Sequence, residues 1–130
     1  MLAVSATAIL AGCAPNQPWS TDMDKGAQYQ HAPARTVDGV FTGANGMTLY
    51  TYDRDTVGNS ACMGPCAENW PPFYAPTDAR ASGDWSIVRR SDGRLQWAYK
   101  GHPLYYWVKD TQPGDRTGDG FNDAWRIARP

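Results

Sequence analysis

The stretch Leu49-Tyr50-Thr51-Tyr52-Asp53-Arg54-Asp55 returns later as Leu104-Tyr105-Tyr106-Trp107-Val108-Lys109-Asp110. Both read Leu-Tyr-x-aromatic-x-x-Asp, and the copies stand 55 residues apart. The same offset carries Gly46 to Gly101, Thr56 to Thr111 and Trp70 to Trp125 without a gap. A period of this kind marks a duplicated structural unit, and it governs how every other feature is read. Within the motif, alternation puts Leu49 and Thr51 on one face of a strand and Tyr50 and Tyr52 on the other. Asp55 and Asp110 fall where each strand should end, where a carboxylate can accept a backbone N–H and fix the next turn.

Working outward, a strand is expected over Val37, Val40 and Phe41, followed by a hairpin turn at Asn45-Gly46. In the second half, Trp85 to Val88 and Leu95 to Tyr99 read as strands around a Ser91-Asp92-Gly93 turn. Lys100-Gly101 turns the chain into Leu104 to Val108, and Ala124 to Ile127 closes it. The fold class is therefore all-β: a small single domain of two related halves of about 55 residues, with short antiparallel strands and long loops. The halves are expected near residues 36–75 and 84–130.

Composition supports this. The chain has 130 residues, enough for one domain, with 13 Gly and 10 Pro to make many turns. Aromatics make up 12% while Leu, Ile and Val are sparse. Each Trp, Tyr or Phe can bury roughly 150–250 Å², so a core built mainly of rings is feasible. A net charge of −1, from 12 basic and 13 acidic side chains without a basic stripe, argues against a nucleic-acid partner.

Residues 1–12 are small and apolar and run into Leu10-Ala11-Gly12-Cys13. This resembles a bacterial lipoprotein signal, in which cleavage before the Cys leaves its sulfur to carry lipid. No Lys or Arg precedes Lys25, so the signal is expected to be incomplete at its start. The resemblance implies that Cys13 anchors the protein to a membrane, since two or more acyl chains hold stably. Ala14, rather than Asp, then implies sorting to the outer membrane, facing the periplasm, in a Gram-negative cell. In a Gram-positive cell the same Cys would sit on the outer face of the plasma membrane. Residues 13–35 are polar, proline-containing and aperiodic, and read as a flexible tether before a β domain over 36–130.

The repeated Tyr-x-aromatic-x-x-Asp motif, the Cys62-x-x-x-Cys66 loop running into Trp70-Pro71-Pro72, and the lipobox together resemble one bacterial lipoprotein family. It is catalogued as a secreted repeat of unknown function. The resemblance spans about residues 37–130 and implies an envelope location and a two-repeat fold, without an activity.

Assigning Cys13 to lipid leaves Cys62 and Cys66 as a pair, and close cysteines outside the cytoplasm usually form a disulfide. Redox chemistry, or a copper site with Met63, would need them reduced. After the second motif come Asp110, Asp115, Asp119 and Asp123. Converging carboxylates would suit Ca²⁺, which takes 6–8 oxygens, although a solvated acidic turn is the simpler reading. Tyr50, Tyr52, Tyr105, Trp107, Trp70 and Trp125 are read as structural, with stacking on a sugar as the functional alternative. No nucleophile motif, metalloprotease motif or phosphate loop is present, so enzyme activity and a bound cofactor are not expected.

The leading reading is a lipid-anchored, non-catalytic envelope module that binds another envelope protein or a cell-wall component. The alternatives are a redox or metal lipoprotein using Cys62 and Cys66, and a cell-wall sugar binder using exposed aromatics.

Overall fold

The two copies of the motif meet face to face. The backbone N–H of Tyr50 donates to the carbonyl of Tyr105 at 2.8 Å, and Tyr105 N–H returns the bond to Tyr50 at 2.9 Å. Around this pair, hydrogen bonds repeat at an offset of 55 residues. Asp53 donates to Ala124 as Val108 does to Asn69, and Ala128 donates to Leu49 as Phe73 does to Leu104. A pseudo-twofold axis therefore passes between Tyr50 and Tyr105.

The structure is a computed structural model that describes residues 32–130. The signal, Cys13 and the tether as far as residue 31 lie outside the described residues. Eight short strands follow: β1 (Arg35–Val37), β2 (Val40–Thr42), β3 (Tyr50–Tyr52), β4 (Tyr74–Ala75), β5 (Trp85–Arg89), β6 (Leu95–Tyr99), β7 (His102–Pro103) and β8 (Trp125–Ile127). One short helix, α1 (Pro65–Asn69), and a 3-10 turn over Phe121–Asp123 interrupt them. Every strand pair is antiparallel, as expected. The halves interlock rather than stand side by side: β3 of the first pairs with β8 of the second, and β4 with β6.

Alternation along the motif produces two cores, because both faces of the central strands are covered. One holds Tyr50, Tyr105, Trp70, Trp107 and Trp125 with Val40, Cys62, Ala124 and Ile127. The other holds Phe41, Leu49, Ala128, Phe73, Trp97 and Leu104. Those last six residues have a second property. Phe41 N–H donates to Ala128, Ala128 to Leu49 and Leu49 to Phe41, closing a ring of three backbone bonds of 2.9–3.0 Å. Trp97, Phe73 and Leu104 close an equivalent ring in the other half. Three chain segments thus converge at each site, with these buried N–H and C=O groups paired although no regular ladder continues.

Several sequence expectations are refined. The single strand expected over Val37, Val40 and Phe41 is a hairpin, since Asp38 and Gly39 adopt φ of 51° and 79°. Two consecutive positive φ values make the type I′ turn that Asp-Gly favours. Ala34 packs on the second core and Arg35 already belongs to β1, just before the expected start near residue 36. The turn at Asn45-Gly46 forms with only Gly46 at positive φ, while Asn45 Oδ1 accepts the Met47 N–H at 3.0 Å. The strand expected over Leu104 to Val108 is reduced to isolated bridges at Tyr105. Its partner there is Trp70-Pro71-Pro72, the counterpart of β8, and neither proline has an N–H to give a ladder. Strands β5 and β6 and the turns at Asp92-Gly93 and Lys100-Gly101 form where expected.

Candidate functional site

The motif's polar groups are exchanged across the pseudo-twofold axis. Tyr50 Oη donates to Asp110 Oδ2 at 2.6 Å, and Tyr105 Oη donates to Asp55 Oδ2 at 2.7 Å. Each tyrosine thus bonds the aspartate of the other copy. The second carboxylate oxygen anchors the following loop. Asp55 Oδ1 accepts the Ala61 N–H at 2.7 Å, while Asp110 Oδ1 accepts Thr117 N–H at 3.0 Å and Thr117 Oγ1 at 2.6 Å. Each aspartate thus accepts a backbone N–H of the loop that follows it, and the cross-axis tyrosine is the part that spacing did not reveal. Burial, reinforced by the carboxylates, pushes both tyrosine hydroxyls far above the usual phenol range. Burial also raises the Asp55 carboxyl, although the Ala61 N–H and the Tyr105 hydroxyl pull against it. Phenols held this firmly protonated are poor bases and nucleophiles at neutral pH.

The large rings form a four-membered stack. Tyr52 lies on Trp125 at 4.2 Å, Trp125 on Trp70 at 3.7 Å, and Trp70 on Trp107 at 4.0 Å between centroids. The order is symmetric, since Tyr52 corresponds to Trp107 and Trp70 to Trp125. Tyr50 meets Trp70 edge-on at 5.3 Å, as Tyr105 meets Trp125 at 5.2 Å. Trp70 and Trp125 are each only 3% exposed and Trp107 is 8% exposed, so their faces are spent on one another and not offered to a sugar. Among the described residues the exposed aromatics are Tyr74, whose ring is covered by Arg94 at 4.2 Å, and Phe121, while Tyr52, Trp85, Tyr99 and Tyr106 are half-buried.

The loops after the two motifs close this stack differently. Cys62 and Cys66, the latter in the first turn of α1, form a disulfide with Cα atoms 5.2 Å apart. Cys62 is fully buried and Cys66 packs against the first core. Arg90, 4% exposed, reaches beneath this loop. Its Nη1 donates to Gln96 Oε1 at 2.7 Å and Ser60 Oγ at 3.0 Å, and its Nη2 donates to the Cys62 carbonyl at 2.6 Å. Met63 Sδ accepts from Arg90 and Ser91 at 3.3 Å, so a cation occupies the neighbourhood that a copper ion would need. Nothing in the local sequence signalled Arg90, whose partners lie up to 30 residues away.

In the acidic loop the carboxylates do not converge. Asp110 is bound to Tyr50 and Thr117, Asp115 Oδ2 accepts the Thr111 and Gln112 N–H groups, and Asp119 Oδ1 accepts the Ile127 N–H. Asp123, which is exposed, contributes its backbone carbonyl to Arg126. Among the described residues no three His, Cys, Asp or Glu side chains are grouped as metal ligands. Gly118 is required by packing: a Cβ there would lie 2.7 Å from Trp70.

Among the described residues the surface includes two grooves. One, of about 270 Å³, is lined by Thr51, Tyr99, His102, Leu104, Ile127 and Arg129, among others. The other, of about 300 Å³, lies between the β1–β2 hairpin and residues 113–116.

Crossed tyrosine–aspartate pairs, a ring stack on the axis and divergent closing loops define a pseudo-symmetric two-repeat β protein. The chain belongs to the lipoprotein family described as a secreted repeat of unknown function, which matches residues 34–74 and 86–129. The two matched segments coincide with the two structural halves. No curated protein and no solved structure matches the chain.

Proposed function

We propose that this protein is a lipid-anchored module of the cell envelope, held to the membrane through Cys13, that binds a partner without catalysing a reaction. One observation carries the non-catalytic part: the repeated hydroxyls and carboxylates, the obvious candidates for chemistry, are consumed by one another across the axis. They build a rigid support, and rigid supports that leave variation to loops suit recognition. The Leu-Ala-Gly-Cys sequence supports the anchor, and Ala14 supports the outer membrane in a Gram-negative cell.

Metabolic labelling with a fatty acid, followed by membrane fractionation, tests the anchor. Wild type should carry label and sediment with membranes, whereas Cys13→Ala should be unlabelled and released. Unlabelled, soluble wild type would overturn the anchor. A turnover abolished by substituting any one side chain of the β domain would overturn the non-catalytic reading.

A further inference from the structure

The pseudo-twofold axis relates two corners of the second core that are filled differently. Tyr106 and Phe73 at one corner correspond to Thr51 and Ala128 at the other. At the first corner the two rings meet edge-on at 5.7 Å, and the Tyr106 hydroxyl lies across Gly43, which has no room for a Cβ. Phe41 corresponds to Trp97 in the backbone rings, so Gly43 corresponds to Tyr99. The second corner therefore holds one ring, Tyr99, where the first holds two. The groove of about 270 Å³ lies there, between Thr51, Ala128 and Tyr99.

Its floor and its rim differ in chemistry. Leu104, Ile127 and Ala128 are buried and give an apolar floor, and the half-buried Tyr99 gives an aromatic wall. His102 and Arg129 are exposed and form the rim, and among the described residues no acidic side chain lines the groove. Neither of them takes part in an ion pair among the described residues. Arg129 is permanently charged, and His102 has a ring N–H to donate in either protonation state. The two aspartates that follow Thr51 are already engaged. Asp53 pairs with Arg126 at 3.2 Å, and Asp55 accepts the Ala61 N–H and the Tyr105 hydroxyl. Lys100 Nζ, 5.4 Å from the centroid of the Tyr99 ring, adds to the positive field.

We propose that this groove binds a small aromatic carboxylate, its ring on the apolar floor and its carboxylate between Arg129 and His102. A ring suits the floor because rings fill the equivalent corner. A carboxylate suits the rim because its two oxygens match the fork of a guanidinium that has no acid of its own. The volume lies just below the roughly 300–1,000 Å³ of sites for larger ligands, so it suits a free acid of one ring. The proposal deepens the binding-module reading and rests on it.

The test is a titration of the full chain with benzoate, followed by backbone amide NMR shifts, with benzamide and acetate as controls. Saturable shifts at Thr51, Leu104, Ala128 and Arg129 are expected for benzoate, and both controls should bind more weakly. Arg129→Gln should weaken benzoate about fivefold, the effect of one exposed ion pair, and His102→Leu should weaken it as well. Both changes are at exposed side chains, so the thermal midpoint should hold. Thr51→Leu, which fills the groove from one wall, should remove the shifts without lowering the midpoint. Shifts absent or located elsewhere would overturn the proposal, as would benzamide binding as tightly as benzoate, or unchanged affinity in Arg129→Gln or in folded Thr51→Leu. Acetate binding as tightly as benzoate would overturn it in favour of a bare anion. Tighter binding of Nα-acetylphenylalanine would overturn it in favour of the C-terminal residue of a partner chain. Benzoate should be recovered unchanged. Its conversion would remove the non-catalytic reading and leave the site, whereas absent binding removes the site and leaves that reading.

Discussion

The loop after Asp55 and the loop after Asp110 begin alike and end differently. Both start from a carboxylate that holds a tyrosine of the other half and a backbone N–H of its own loop. The first then closes through the Cys62–Cys66 disulfide. At the matching positions the second has Thr117, bonded to Asp110, and Phe121, whose ring lies 4.8 Å from Trp107. A covalent link in one half is replaced by a hydrogen bond and an apolar contact in the other. Both loops pack on the first core, and they are closed by different chemistry. Only the first loop adds a buried guanidinium, because only the β5–β6 hairpin is long enough to deliver one.

Removing a ring from the centre of the stack should break both halves together. Trp70→Ala is expected to cost about 3–5 kcal/mol, seen as a fall in the thermal midpoint. Little loss would mean that the loops, and not the stack, hold the halves together. The crossed pairing is tested more sharply by double-mutant cycles from chemical denaturation. Tyr50→Phe with Asp110→Asn should couple by about 1–3 kcal/mol, and Tyr50→Phe with Asp55→Asn by roughly zero. The opposite pattern would return each tyrosine to the aspartate of its own copy.

A smaller effect is expected from Cys62→Ser combined with Cys66→Ser. So short a closed loop constrains the unfolded chain by about 2 kcal/mol, and the change should appear in urea midpoints without loss of the fold. Collapse of the fold would show that hydrogen bonding and packing cannot do in the first half what they do in the second. The smallest effect belongs to Asp115. Its carboxyl is held below the ordinary 3.8, chiefly by the Thr111 N–H. A lowered folded pKa means its stabilisation is complete above that value and is lost as pH falls through the folded pKa. Asp115→Asn should therefore flatten the acid limb of the thermal midpoint measured from pH 7 to 3. Asp55 has the opposite sign: burial raises its carboxyl, so ionising it opposes folding and acid relieves that cost.

Much of this architecture was legible in residue order. A motif repeated at one offset, with alternating residues and Gly-bearing turns, is enough to specify short antiparallel strands in two related halves. Local signals worked because turn chemistry depends on two or three adjacent residues, as at Asp92-Gly93 and Lys100-Gly101. Asp38-Gly39 was equally readable as a turn but lay inside an apolar run that read as one strand. Spacing could not show that Tyr50 bonds Asp110 in place of the nearer Asp55, because the choice depends on how the halves interlock. Burial of the motif rings likewise follows from four rings, two from each half, lying face to face on the axis. The sequence by itself determined the repeat, several of the strands and the paired cysteines, which are local or periodic properties. Tertiary structure alone decided which copies exchange partners and that Arg90 fills one half and has no counterpart in the other. Those outcomes depend on contacts between residues distant in the chain, and no local pattern encodes them.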